Sequence, residues 1–384
     1  MPSADDAREW AAAGGLHGIG DSLYTPFSGP EGDEIDWDAY RTLVRYCVGD
    51  LGHAMLWLTS GIGEWWSLTM DERKLLLEVA VEEARAAAPA AVIQACTAAP
   101  SAKDALELTL HAQEHGADIC FLQTPPMEVH GGEGVLRFFE YIARRTDIAL
   151  GMFNSPSSGY VLTPAEMAEI YHRLPAVVAV KEGVQDSYGG AAELHALAPG
   201  LIIWECDLIV YRAGWLQDGT VGPAQMGTCG YIHETPDNRW YTRYWELIWD
   251  GKISDAIAFA RESGLDAYQA SFGSWFTKYP DRPQYFTHWG EAFKCAAAAL
   301  GLPVGDYPFS RPPQATLSDA AKAKIRAAVE LGRVSFRIVL EVADVSQHDD
   351  PLSPDECLAG QTRSFDRRPD FGLGGVRQSR LRRP

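Results

Sequence analysis

Between residue 16 and about residue 250, short apolar runs alternate with longer amphipathic stretches. The apolar runs have strand length and are bounded by turn residues. They predict strands over Leu16–Leu23, Ala54–Thr59, Ala91–Thr97, Ile119–Thr124, Ile148–Phe153, Val177–Lys181, Leu201–Cys206 and Thr220–Met226. The intervening stretches, including Asp36–Val48, Thr69–Ala87, Ala102–His115, Gly134–Arg145 and Pro164–Leu174, carry helical spacing. Two open with start signals: Thr69-Met70-Asp71-Glu72 reads as a capping box, and Thr163-Pro164 puts proline in a first helical turn. Strict strand–helix alternation implies parallel strands joined by crossover helices, and eight repeats fit a (β/α)8 TIM barrel. A doubly wound sheet is the competing architecture. Its glycine-rich phosphate turn is missing after the first strand, where the chain reads Asp21-Ser22-Leu23-Tyr24-Thr25-Pro26-Phe27.

The division this predicts is a lead-in over 1–15, the barrel over 16–250, a C-terminal extension of helices only over 251–338, and a disordered tail over 339–384. The tail assignment follows from the Arg-, Gly- and Pro-rich stretch Arg363–Pro384, which has no apolar period. A formal charge of −19 excludes a phosphate-backbone partner, so no nucleic acid is expected. Seven cysteines are scattered without metal-ligand spacing, which predicts neither a zinc site nor a disulfide framework. Acidic residues at the start and the lack of a long apolar run predict no signal peptide and no membrane span, hence a cytoplasmic protein.

Chemistry enters at Lys181, which ends the apolar run Val177-Val178-Ala179-Val180 and precedes Glu182-Gly183. Taken alone, a lysine there marks where a strand emerges into water. Desolvation disfavours the ammonium, however, and a neutral amine is a nucleophile toward ketones. Other unusual residues gather at the same strand ends. Thr25 follows the first, Thr59-Ser60-Gly61-Ile62-Gly63-Glu64 the second, Thr124-Pro125-Pro126 the fourth, and Phe153-Asn154-Ser155-Pro156 the fifth.

In this order and spacing the set resembles the dihydrodipicolinate synthase / N-acetylneuraminate lyase family of class I pyruvate-dependent lyases, over roughly residues 16–335. The resemblance implies a TIM barrel with a C-terminal helical region, a homo-oligomer (dimer or tetramer), a 2-oxo acid substrate, and catalysis with no metal or organic cofactor. Under it the Schiff-base lysine falls on Lys181 and the carboxylate-binding loop on Ser60, Gly61, Ile62, Gly63 and Glu64. Glycine there lets backbone N–H groups close on an anion, which suits a protein this acidic. Thr25, Phe153 and Asn154 complete the implied binding set. Trp65, in the pair Trp65-Trp66, is the expected pocket wall for a bulky apolar group.

The departures also carry information. Gly61 and Ile62 replace two threonines, Phe153 replaces the proton-shuttling tyrosine, Met127 stands for a second tyrosine, and Ser157-Ser158 occupies the place of an arginine. A true dihydrodipicolinate synthase is therefore not expected. Tyr160 and Tyr24 are the candidate catalytic hydroxyls in its place, with His130 as a further proton carrier. Glu64 is expected to be a structural acceptor and Glu182 to face away from Lys181, because strand side chains alternate. The leading expectation is an aldolase-type lyase acting on pyruvate or another 2-oxo acid. The alternatives are a dehydratase of a 2-oxo sugar acid through the same imine, and a non-catalytic 2-oxo-acid-binding homologue.

Overall fold

Eight parallel strands form one curled sheet: β1 (Gly18–Ser22), β2 (Met55–Leu58), β3 (Val92–Cys96), β4 (Ile119–Gln123), β5 (Ala149–Asn154), β6 (Val177–Glu182), β7 (Ile202–Glu205) and β8 (Ala224–Gln225). Consecutive strands from β1 to β7 pair, and β8 pairs with β1. The strands β7 and β8 approach each other, so the sheet closes on itself as a TIM barrel. The structure is a computed structural model. It describes residues 2–126, 130–155, 158–183, 187–205, 224–225, 230–271, 275, 277–279 and 282–345. The chain divides into two units, 1–339 and 340–384, and of the second only the last turns of a helix are described.

Both predicted helix starts are present. Thr69 and Glu72 form a capping box on helix Met70–Ala87, and Thr163 and Glu166 form another on Pro164–Arg173, with Pro164 in the first turn. Between the barrel wall and its helices lies one apolar layer, to which Leu43, Leu76, Leu108, Phe139, Ile170 and Leu194 each contribute from a different helix.

The barrel lumen is a second, separate cluster. Met55, Trp57, Ile119, Phe121, Phe153, Ile202 and Trp204 point inward, and Ala7, Ala11 and Leu16 join the same cluster from the segment before β1. The lead-in is thus a packed part of the barrel, with helix Ala7–Trp10 at its start. Aromatic rings fill the interior: Phe121 stacks on Trp204 at 5.0 Å, and Trp57 meets Phe153 edge-on at 5.0 Å. Gly151 makes room for this packing, because a Cβ there would lie 2.4 Å from the Phe121 ring. Gly151→Ala is therefore expected to cost about 1–3 kcal/mol in urea unfolding, as overpacked cores do.

One irregularity decides which way Lys181 points. Along β5 and β6, Leu150 pairs with Val177 but Gly151 pairs with Ala179, leaving Val178 as an extra residue. The shift brings Lys181 opposite Phe153, on the lumen face. Without it Lys181 would stand opposite Asn154, on the outer face.

The C-terminal region departs from the expectation of helices only. After helices Trp240–Trp249, Ile253–Glu262 and Leu265–Ser271 comes an antiparallel hairpin, Thr277–Tyr279 with Arg282–Thr287. Its strands are rich in threonine and aromatic residues, which favour an extended chain. Helices Trp289–Ala299 and Asp319–Val345 follow, the last running past the expected boundary at 338. Trp240 and Trp245, on helix Trp240–Trp249, are buried in the core. Among the described residues no helix is long and apolar enough to cross a membrane. The expected tail beyond 345 lies outside the described residues, as does Met127.

Candidate active site

The candidate site residues gather at the C-terminal strand ends. Lys181 is the penultimate residue of β6 and is half-buried between buried Val180 and Glu182. In register it stands beside Phe153 on β5 and Trp204 on β7. Its Nζ lies 5.5 Å from the Phe153 ring centroid, so the amine caps the aromatic floor of the lumen. Gly183 keeps the space beside it clear: a Cβ there would sit 2.7 Å from Nζ. The Gly183 N–H donates to Asn154 O at 2.8 Å, which fastens the strand end.

The loop after β2 is tightly held. Thr59 and Glu64 flank it with positive φ (49° and 60°), a conformation non-glycine residues adopt only when the surroundings impose it. The Ser60 and Ser22 hydroxyls hydrogen-bond to each other, and Ser22 pairs with lumen-facing Trp57, which places this pair at the mouth. Thr25 Oγ1 donates to Gly63 O at 2.8 Å and so braces the loop. The Glu64 and Trp65 amides are used within the turn, on Gly61 O and Ser60 O. The amides of Gly61, Ile62 and Gly63 donate to no described group. Ile62 is buried in the outer apolar layer, and a side chain at Gly61 would meet open space. Trp65 packs against the lumen cluster with the Arg73 guanidinium 5.5 Å from its ring, consistent with a wall of the mouth.

Glu64 accepts from a group absent from the sequence reading. Its Oε1 receives Lys294 Nζ at 2.9 Å, and both side chains are fully buried. Lys294 also donates to Phe309 O at 2.9 Å and lies 4.0 Å from the Phe27 ring centroid. Burial pulls the Lys294 pKa below its ordinary value against the opposing pull of the Glu64 carboxylate. The ion pair ties the carboxylate-type loop to helix Trp289–Ala299.

Three predicted site residues are engaged elsewhere. Asn154 alternates with Phe153 and faces outward, where its side chain donates to Leu162 O at 3.0 Å and Glu182 Oε2 at 2.9 Å. Glu182 faces outward with it, as alternation requires. Tyr24 is fully buried in the outer layer, its hydroxyl donating to Pro303 O at 2.7 Å. The Tyr160 hydroxyl donates to Glu166 Oε1 at 2.8 Å, and that carboxylate raises the phenol pKa. These bonds give the two phenols partners, Pro303 and Glu166, that are not members of the lumen cluster. His130 is exposed at the start of helix Gly131–Ala143. Gln123, at the lumen end of β4, donates to Ser158 Oγ at 3.1 Å.

Behind β1, Asp21 faces the outer layer and meets His53 Nδ1 at 2.6 Å, while Glu234 meets His53 Nε2 at 2.8 Å. With a carboxylate on each ring nitrogen the imidazole is held as a cation. Burial alone would lower its pKa, but Asp21 and Glu234 outweigh it and hold it at about 9. A folded-state pKa above the unfolded value of about 6.5 gives stability that is complete below that pH and is lost as pH rises through 9. The urea midpoint is expected to fall between pH 6.5 and 9, and this fall should be absent in His53→Gln.

Residues 16–222 match the model of the Dihydrodipicolinate synthetase family. A 4-hydroxy-tetrahydrodipicolinate synthase of Fervidobacterium nodosum is 30% identical over 184 residues, 48% of this chain and 60% of the relative. That of Nitratidesulfovibrio vulgaris is 31% identical over 218 residues, 55% of this chain and 67% of the relative. The matched segment thus spans about 60% of the first relative's length. Among solved structures, the prophage protein YagE of E. coli K12, determined in complex with pyruvate, superposes with a TM-score of 0.68 at 17% identity, covering 83% of this chain and 99% of that one. A dihydrodipicolinate synthase from Cyanidioschyzon merolae with lysine bound superposes with the same score at 20% identity, covering 83% and 98%. Those identities speak to the fold alone, but the family match covers more than half of the chain, including every barrel strand through β7 and Lys181 on β6. The chain belongs to the dihydrodipicolinate synthetase family.

Proposed function

We propose that this protein is a class I lyase in which Lys181 forms an imine with pyruvate or another 2-oxo acid. The observation that carries this reading is the inward-facing amine at the C-terminal end of the sixth barrel strand, beside Phe153 and Trp204. The amine adds to the ketone carbon and water leaves, giving a protonated imine that withdraws electrons from the adjacent carbon. Breaking a C–C bond there leaves an enamine, and the reverse addition makes one. The substrate carboxylate is held by the unspent amides of Gly61, Ile62 and Gly63. The Ser22–Ser60 pair supplies exchangeable hydroxyl protons at a mouth where Phe153 has none.

The aromatic floor and Trp65 favour an apolar or bulky group on the acceptor side. Incubation with 2-oxo acids, alone and with aldehydes, tests the reading. Aldol product or released pyruvate supports the lyase, loss of water alone supports the dehydratase, and binding without turnover supports a non-catalytic homologue. The homo-oligomer and the cytoplasmic location are part of the same proposal, and light scattering reads the first.

A further inference from the structure

On the outside of the barrel, helices Met70–Ala87 and Ala102–Glu114 pack side by side. Three Lewis-base groups converge across their seam. Glu78 comes from the first helix, His111 from the last turn of the second, and His115 caps its end. Glu78 Oε1 lies 3.1 Å from His111 Nε2 and 3.9 Å from His115 Nε2, and ligand atoms of all three fall within 4.8 Å of one another. The two imidazoles stack with centroids 3.9 Å apart and planes 23° from parallel.

The tautomer of one ring is fixed. His115 Nδ1–H donates to His111 O at 2.8 Å, which leaves Nε2 as the nitrogen with the lone pair. A ligating histidine is oriented in this way, its other nitrogen held by a carbonyl. His111 Nε2 is shielded from solvent and has no hydrogen-bond partner, although the Glu78 oxygen is close. At 3.1 Å the His111 nitrogen and the Glu78 oxygen are close enough to hold a cation between them. Four-coordinate sites with metal–ligand bonds of about 2.1 Å separate their donors by about 3.4 Å. The two Glu78 distances bracket that value.

We propose that Glu78, His111 and His115 form a binding site for a divalent transition-metal ion of the zinc type, with water as the fourth ligand. Two imidazoles and one carboxylate suit zinc, cobalt or nickel and not calcium or magnesium, which take oxygen ligands. Lys74, one turn before Glu78, is paired with Glu107, one turn before His111, which offsets part of its positive charge beside the site. The bound ion cross-links two neighbouring barrel helices. None of its ligands belongs to the Lys181 site, so its role is to stabilise the barrel wall and not to take part in the reaction.

The test uses the full chain, stripped with chelator and titrated with Co²⁺ followed by visible absorption and with Zn²⁺ followed by thermal unfolding. One Co²⁺ per chain is expected, with the visible bands of a four-coordinate ion, and Zn²⁺ is expected to raise Tm by several degrees. His111→Ala and His115→Ala should each weaken Co²⁺ binding at least tenfold and remove the Zn²⁺ effect on Tm, while borohydride labelling of Lys181 is unchanged. His115 is exposed, so its variant folds independently of the outcome at His111. No visible band, or a band of unchanged affinity in both variants, would overturn the proposal.

Discussion

Lys181→Ala is expected to lower turnover by at least about a thousandfold while leaving the fold intact, because no other group replaces a covalent electron sink. The side chain is half-buried at the rim, so its truncation opens no core cavity. Lys181→Arg should be equally inactive: a guanidinium keeps the positive charge but stays protonated and forms no imine. Together the two variants separate charge from nucleophilicity. Steady-state kinetics with the best 2-oxo acid, alongside thermal melts, reads both. An alanine variant retaining a tenth of the activity would remove Lys181 from the chemistry.

The second large effect concerns stability. Lys294 and Glu64 are both fully buried, so removing one leaves the other as an uncompensated charge. Lys294→Met is expected to cost about 3–5 kcal/mol in urea unfolding, the usual result of breaking a buried ion pair from one side. The double variant Glu64→Gln/Lys294→Met should recover much of that loss, since replacing a whole buried pair is often close to neutral. Glu64 carries a positive φ imposed by the loop, and its carboxylate anchors that loop to helix Trp289–Ala299. Lys294→Met should therefore also raise KM more than it lowers kcat, because the loop amides proposed to hold the substrate lose their anchor. A double variant no more stable than Lys294→Met would mean that the pair acts through packing and not charge.

The barrel was legible because each strand is a short apolar run set between helices with clear start signals. Lys181 stood out because it ends such a run. What escaped was register and direction. The extra residue Val178 puts Lys181 in the lumen, and nothing in Val177-Val178-Ala179-Val180 distinguishes a bulged strand from a regular one. Alternation correctly set Glu182 outward. Applied to β5, the same rule turns Asn154 away from the lumen once Phe153 is placed inside it. Tyr24 and Tyr160 lie outside regular strands, where spacing says nothing about where a hydroxyl points. Lys294 sits in an alanine-rich helix, where a lysine reads as solvent-facing, and only the tertiary contact with Glu64 reveals its burial. Ser22 lay in view between Asp21 and Leu23, but its partner Ser60 is on another strand end.

The central claim is the imine, and borohydride trapping tests it most directly. The wild-type chain is incubated with pyruvate and a panel of 2-oxo acids, reduced, digested and read by peptide mass spectrometry. The account predicts a stable adduct on the peptide containing Lys181, strongest with the acid closest to the true substrate and absent in Lys181→Ala. A folded protein that traps none of these acids, or traps them on another lysine, would contradict it.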